Sequence, residues 1–94
     1  MIKLYLILFS AELKRTELTK FFDGNPVAIS FWFYNLPDSV FVKSTWTARQ
    51  LQELILGKFG KNLSLIIVEL NSNTDYAGWI DKSHHPHFNG FLPE

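Results

Sequence analysis

The sequence predicts a single α+β domain in which two helices pack on one face of a four-stranded antiparallel sheet. Three observations lead to this fold class. The chain has 94 residues, which is the size of one domain. Its apolar fraction of 47% excludes a disordered chain. Short apolar runs alternate with two amphipathic segments and with turn-forming residues, so the elements follow one another as strand, helix, strand, strand, helix and strand.

The first strand is predicted over residues 2–9, where only Lys3 interrupts an apolar run. A run of this kind is typical of a strand that is buried on both faces. The chain then passes through Ser10 into a helix of about twelve residues that ends near Phe22. The residues Asp23-Gly24-Asn25-Pro26 stop this helix, and the glycine can take the left-handed C-terminal position.

Two further strands are predicted over residues 27–34 and 39–45, joined by a turn that contains Pro37. Proline fixes a negative φ, which favours a type I turn inside a four-residue loop over a primed two-residue turn. With a two- or four-residue loop, even positions of one strand share a face with odd positions of the next. A three-residue loop would reverse this relation.

The second helix has the clearest start signal, because Thr47 and Gln50 form a capping box. Gly60 ends the helix, and the fourth strand is predicted over residues 63–70. Two strand–helix–strand halves joined by a hairpin give the ferredoxin-like βαββαβ arrangement. Residues 76–80 can add a short fifth strand. The domain thus covers residues 1–80, and residues 81–94 form an irregular tail.

Alternation along the strands assigns side chains to the two faces of the sheet. The predicted core under the helices consists of Ile2, Leu4, Leu6, Leu8, Ile29, Phe31, Phe33, Val40, Val42, Ile66, Val68 and Leu70. The opposite face mixes aromatic, aliphatic and charged side chains, which is typical of an association surface. Its candidate binding residues are Tyr5, Ile7, Phe9, Trp32, Tyr34, Phe41, Lys43, Leu65 and Ile67, with Trp79 from the segment after the last strand.

Three interpretations of this surface stay open. The segment around Trp79 can fold over it, or a second copy of the chain can pack on it as a two-fold homodimer. The third is a platform for single-stranded RNA, in which Tyr5 and Phe41 on the central strands stack on bases. The formal net charge of zero and the lack of a Lys/Arg-Gly-aromatic signature disfavour nucleic acid.

Side chains with metal-ligand character cluster at His84, His85 and His87. Their spacing matches no recognised structural zinc site, so a solvated tail is the favoured interpretation and no cofactor is predicted. The acidic residues are scattered, and neither a nucleophile motif nor a glycine-rich phosphate loop is present. The chain has no cysteines, and its N-terminal apolar run is too short for a membrane span. We therefore expect a cytoplasmic protein without a membrane partner.

The hairpin that leads into SVFVKSTWTARQLQELI, and the strand LSLIIVEL followed by YAGWI, form a recognisable pattern. It resembles the small ferredoxin-like proteins related to the CRISPR adaptation nuclease-like subunit and the VapD-type toxins, over most of residues 1–80. The resemblance implies a sheet-packed homodimer and, in several members, a metal-dependent ribonuclease or a DNA-binding scaffold. It also implies a metal-holding carboxylate at the end of the first strand. This chain has Phe9 and Ser10 there, and its nearest acid is Glu12.

The sequence therefore predicts a non-catalytic homodimer, an interaction or accessory module that associates through the open sheet face. An enzyme is disfavoured because the end of the first strand lacks an oxygen-rich site for a divalent ion. The alternatives are a metal-dependent endoribonuclease that uses Ser10, Glu12 and the three histidines, and the RNA-binding platform.

Overall fold

The structure is a computed structural model that describes residues 1–10, 12–34, 36–60 and 62–71. Its elements are β1 Lys3–Phe9, α1 Arg15–Asp23, β2 Phe31–Phe33, β3 Ser39–Ser44, α2 Ala48–Phe59 and β4 Leu65–Leu70. The strands form one sheet in the order β2-β3-β1-β4, and each neighbouring pair is antiparallel. The predicted α+β class is confirmed, in an arrangement compatible with a ferredoxin-like fold. The predicted fifth strand and the tail at 81–94 lie outside the described residues.

Both helices contribute to one core, on one side of the sheet. This main core consists of Tyr5, Ile7, Phe9, Leu13, Leu18, Phe22, Ala28, Ile29, Val40, Val42, Leu51 and Ile55. The sheet side chains that face it are called here the helix-covered face: Tyr5, Ile7, Phe9, Trp32, Val40, Val42, Leu65 and Ile67. Because β1 lies between β3 and β4, it places more side chains in this core than any other described strand.

The helix ends are only partly those that the sequence predicts. The capping box of α2 is confirmed, since the Gln50 backbone N–H donates to Thr47 Oγ1 at 3.1 Å and the Thr47 backbone N–H donates to Gln50 Oε1 at 2.8 Å. Gly60 follows α2 with a φ of 89°, a conformation that favours glycine. Gly24 after α1 has a φ of −84°, so its predicted left-handed conformation is wrong. Asn25 closes that end instead, with its side-chain amide donating to the carbonyl oxygen of Phe21 at 2.8 Å.

The predicted strand at 27–34 is shorter in the structure, where β2 covers three residues. Residues 26–28 form a turn, because the carbonyl oxygen of Asn25 accepts hydrogen bonds from the backbone N–H groups of Ala28 and Ile29 at 3.1 and 2.9 Å. This turn buries Ala28 and Ile29 in the main core and leaves Val27 exposed. The apolar character of the segment thus comes from a turn packed under the helices.

The hairpin between β2 and β3 has a register different from the predicted one. Its pairs are Phe31 with Lys43, Trp32 with Val42, and Phe33 with Phe41. In each pair the two residue numbers are therefore both odd or both even, and the register is centred on Pro37. This is the relation of an odd-numbered loop, in which even positions of β2 share a face with even positions of β3. The sequence prediction assumed an even-numbered loop and is wrong on this point.

On β1, β2 and β4, the helices cover the face opposite to the predicted one. The predicted core residues Leu4, Leu6, Leu8, Phe31, Phe33, Ile66, Val68 and Leu70 point away from the main core. Ile29, Val40 and Val42 lie in the main core as predicted. The physical reason is that β1 and β4 are apolar at successive positions, so period-two alternation alone does not choose which face the helices cover.

Tyr5 is expected to make the fold sensitive to alkali. Its side chain is buried, and its hydroxyl donates a hydrogen bond of 2.6 Å to the carbonyl oxygen of Trp46. Burial raises the pKa of the Tyr5 phenol, and the nearby Glu69 carboxylate raises it further. Because the folded-state pKa exceeds the unfolded one, unfolded chains lose this proton first as the pH rises. We expect the free energy of unfolding to fall once the pH passes about 10.

Urea unfolding at neutral and alkaline pH measures this loss. Tyr5→Phe removes the titrating group and should lose much less stability over the same pH interval. If the variant and the unaltered chain lose equal free energy, groups other than Tyr5 cause the alkaline destabilisation.

Candidate functional site

The face of the sheet that points away from the helices is the candidate functional surface. It is called here the second face, and it consists of Leu4, Leu6, Leu8, Phe31, Phe33, Ser39, Phe41, Lys43, Ile66, Val68 and Leu70. Lys43 is its only charged side chain within the described strands. In a strand with one side in water, apolar and polar residues usually alternate, and the polar ones face the water. The apolar composition of the second face therefore indicates that it contacts another surface.

One part of the second face is buried. Leu4, Phe33, Phe41 and Leu70 form a separate apolar cluster, the covered cluster, with exposures between 5 and 7%. Within it the rings of Phe33 and Phe41 stack with centroids 4.9 Å apart and planes inclined by 12°. Leu6 packs against the same cluster. The covered cluster thus behaves as a second, smaller core on the far side of the sheet.

Other parts of the second face are open to solvent: Phe31 at the β2 edge, with 43% of its surface exposed, and three side chains towards the β4 edge. Leu8, Ile66 and Val68 lie side by side on β1 and β4, and we call them the exposed strip. Their exposures are 40, 61 and 37%. These are branched aliphatic side chains on a rigid sheet, so their contact with water is unfavourable and their burial against a partner would be favourable.

The exposed strip also borders an edge of the sheet. Within the described residues, β4 pairs only with β1, so its outer backbone groups face away from the sheet. Of its six residues only Glu69 is charged, and the strand has neither lysine nor proline. Edge strands in monomeric proteins usually carry such residues, because they prevent pairing with other chains. The edge at β4 is therefore chemically suited to association.

The structure divides the predicted binding residues between the two faces. Tyr5, Ile7, Phe9, Trp32, Leu65 and Ile67 belong to the helix-covered face and pack in or against the main core. Their prediction as members of an open surface is wrong. Trp32 lies on the other face because the hairpin loop is odd-numbered, and the residues of β1 and β4 were misplaced because those strands are apolar on both faces. Phe41 and Lys43 do lie on the second face. Tyr34 is exposed beyond the end of β2, with the Arg15 guanidinium 3.6 Å from its ring centroid. Trp79 lies outside the described residues.

The proposed pair of base-stacking residues does not form one platform. Tyr5 pairs with Val42, whereas Phe41 pairs with Leu6, so their side chains lie on opposite faces of the sheet. Tyr5 is 1% exposed beneath the helices and cannot stack on a base. The arrangement required for an RNA platform on these two residues is therefore absent.

Ser10 and Glu12 do lie together at the end of β1. A hydrogen bond from the Ser10 side chain is the main cause that lowers the pKa of the exposed Glu12 carboxyl. Ser10 also joins β1 to the start of β4, since its Oγ accepts from the backbone N–H of Ser64 at 3.2 Å and its own N–H donates to the Ser64 carbonyl at 2.9 Å. These bonds give Ser10 a structural role at the sheet end.

Within the described residues, no three His, Cys, Asp or Glu side chains come close enough to hold a metal ion. The candidate ligands His84, His85 and His87 lie outside the described residues, so their role stays a prediction. In the same part of the chain, no helix has the length and apolar character needed to cross a bilayer.

The residues of the exposed strip were assigned to the core by sequence reasoning, so the prediction missed them as surface residues. The sequences of β1 and β4 carry no signal for this, because both strands are apolar on both faces, whereas Pro37 at the centre of the hairpin loop bears on the facing of β2. A prediction with an odd-numbered loop around this proline would have placed Phe31 and Phe33 on the same face of the sheet as Phe41.

Comparisons with family models, with curated proteins and with solved structures found no match to this chain. The resemblance to CRISPR-associated and toxin proteins thus stays an expectation, and the functional interpretation depends on the geometry of the second face.

Proposed function

We propose that this protein is a non-catalytic interaction module that forms a homodimer through the second face. The observation that carries the proposal is the exposed strip of Leu8, Ile66 and Val68, which leaves branched aliphatic side chains in water on a rigid surface. A second copy presents the same strip, and two-fold symmetry brings the two strips together. Such a contact needs no complementary charge, in agreement with the formal net charge of zero.

The size of the face sets the expected strength of the dimer. Four strands about 5 Å apart and about 20 Å long present roughly 400 Å² in projection. A standard stable interface buries about 800 Å² on each partner. Because part of the second face is already buried, the free part alone is smaller than that standard. We therefore expect a weak, concentration-dependent dimer rather than a permanent one.

The variant Ile66→Lys tests this proposal. It places an ammonium group at the most exposed position of the strip, where dimer formation would have to desolvate two such groups. We expect the dissociation constant to rise at least about ten-fold, the equivalent of 1.4 kcal/mol. Sedimentation equilibrium from low micromolar to submillimolar concentration measures this change.

Leu36→Lys is the matched control. Leu36 has the same 61% exposure as Ile66 but lies in the hairpin loop, outside the second face. This variant should keep the dissociation constant of the unaltered chain. If both variants weaken the dimer equally, or if neither does, the second face is not the dimer contact.

Metal-dependent cleavage of RNA is the alternative function, and one observation favours it. The Ser10 hydroxyl and the exposed Glu12 carboxyl lie together at the end of β1, joined by a hydrogen bond, and oxygen groups of this kind are the ligands that Mg²⁺ and Mn²⁺ prefer. Incubation with labelled RNA, with and without these ions, tests this activity. Metal-dependent cleavage that disappears in Glu12→Ala would replace the non-catalytic module by a ribonuclease.

A further inference from the structure

An open cleft of about 400 Å³ is lined by the last residues of α1, the turn that follows them and the edge strand β2. Phe22, Pro26 and Ile29 give it an apolar wall, and Asp23 and Trp32 line it as well. Phe22 and Ile29 belong to the main core, so the packing of the domain holds this wall in place. The cleft is therefore a built feature of the fold.

Asp23 is the only charged side chain among the residues that line the cleft. Its Oδ1 accepts the 2.7 Å hydrogen bond from the Trp32 indole N–H, which orients the carboxylate. A carboxylate offers about four acceptor sites on two oxygens, so this bond leaves room for a ligand. Asp23 is also the last residue of α1, where the helix dipole adds partial negative charge. A cation at this position would be stabilised by both charges.

Trp32 supplies an aromatic surface beside this carboxylate. Its side chain is half-buried, and the hydrogen bond to Asp23 fixes the indole relative to the carboxylate. The face of an indole attracts cations more strongly than the faces of the other aromatic side chains. Because the carboxylate and the indole are one hydrogen bond apart, a single ammonium group can contact both.

The lining of the cleft favours one class of ligand. An anionic group would meet the Asp23 carboxylate, and no basic side chain among the lining residues offsets the repulsion. A bare metal ion would find one carboxylate and one hydroxyl, from Asp23 and Ser30, which is fewer ligands than such ions require. An ammonium group on an aliphatic stem matches both the carboxylate and the apolar wall.

We propose that the cleft binds an alkylammonium group, whose ammonium contacts Asp23 and Trp32 and whose methylene stem lies along Pro26 and Ile29. A lysine side chain of a partner protein and a free aliphatic amine both have this chemistry. The proposal is independent of the proposed dimer, because these four residues lie outside the second face.

Titration of the full chain with butylammonium tests the proposal, with 1-butanol as the neutral control. The Trp32 indole N–H resonance, assigned by its loss in Trp32→Phe, and the backbone N–H resonance of Ser30 report on the cleft. We expect butylammonium to bind at least about three-fold more tightly than butanol, since an exposed carboxylate and an aromatic face each add a modest attraction. Equal binding of the two, or no shift up to high millimolar concentration, would overturn the inference.

A lysine capped at both ends distinguishes the two sources of the ligand. Tighter binding of the capped lysine than of butylammonium indicates a protein side chain, and equal or weaker binding indicates a free amine. Either result supports the alkylammonium class, provided that butylammonium is preferred over butanol.

Asp23→Asn tests whether the carboxylate causes this preference. Asparagine keeps an oxygen acceptor for the indole N–H and removes the charge, so we expect the fold to stay and the preference for butylammonium over butanol to disappear. Asp38→Asn is the matched control, because it makes the same change of net charge at an exposed residue of the hairpin loop, outside the cleft. It should keep the preference. If Asp23→Asn keeps it too, or if both variants lose it equally, the cleft is not an ammonium site.

Discussion

Ile7→Ala is expected to lower the free energy of unfolding by about 2–5 kcal/mol, whereas Leu8→Ala, one residue later, should cost about 1 kcal/mol or less. Ile7 has no exposed surface and lies in the main core between Val40 and Ile67 on the neighbouring strands. Its truncation leaves a cavity under the helices. Leu8 points to the other face, where 40% of it is in water.

Chemical denaturation of the two variants, with unchanged slopes against denaturant, measures this difference. The two variants test the face assignment closely, because Ile7 and Leu8 are neighbours in β1 and have side chains of the same size. They also lie at nearly the same distance from the start of α1. A larger loss for Leu8→Ala than for Ile7→Ala would place the helices on the side of Leu4, Leu6 and Leu8 and contradict the structure.

Trp32→Asp is expected to disrupt folding rather than association, with a loss of about 3–5 kcal/mol. Trp32 packs against the main core, and its indole N–H donates a 2.7 Å hydrogen bond to Asp23 Oδ1. The substitution removes the ring from the core and places a second carboxylate beside Asp23, where the two charges repel each other. For a chain of this size such a loss approaches the whole stability.

Trp32→Phe is the control for the ring. It keeps an aromatic side chain against the core and loses only the indole hydrogen bond, which should cost about 1 kcal/mol. Circular dichroism during urea unfolding distinguishes the two variants. A Trp32→Asp chain that folds with normal stability but fails to dimerise would return Trp32 to the association surface, as the sequence prediction had it.

The elements of this fold could be predicted because their signals are local. The capping box of Thr47 and Gln50 lies within four residues, and both partners are where the sequence puts them. The start of α1 was harder to predict from the sequence, because the side chain of Lys14 at its N-cap makes no capping hydrogen bond. The structure starts this helix at Arg15, after a turn in which the Leu13 N–H donates to the Ser10 carbonyl.

The candidate site was harder to predict because it depends on a relation between distant strands. β1 and β4 are apolar on both faces, so their own sequences do not tell which face the helices cover. The prediction chose the even positions of β1 and β4 because they form a purely apolar set, and it placed β2 by the parity of one hairpin loop, where an error of one residue moves every side chain of the strand to the other face. Ser10 and Glu12, by contrast, are close in space because they are close in the chain.

A dilution series followed by methyl resonances tests the central claim most directly, namely that the second face carries the association. The neighbours Ile66 and Ile67 point to opposite faces and serve as an internal comparison. We predict concentration-dependent shifts for the methyl groups of Leu8, Ile66 and Val68, with those of Ile7 and Ile67 unchanged. Shifts confined to Ile7 and Ile67, or spectra that do not change from micromolar to submillimolar concentration, would contradict the claim.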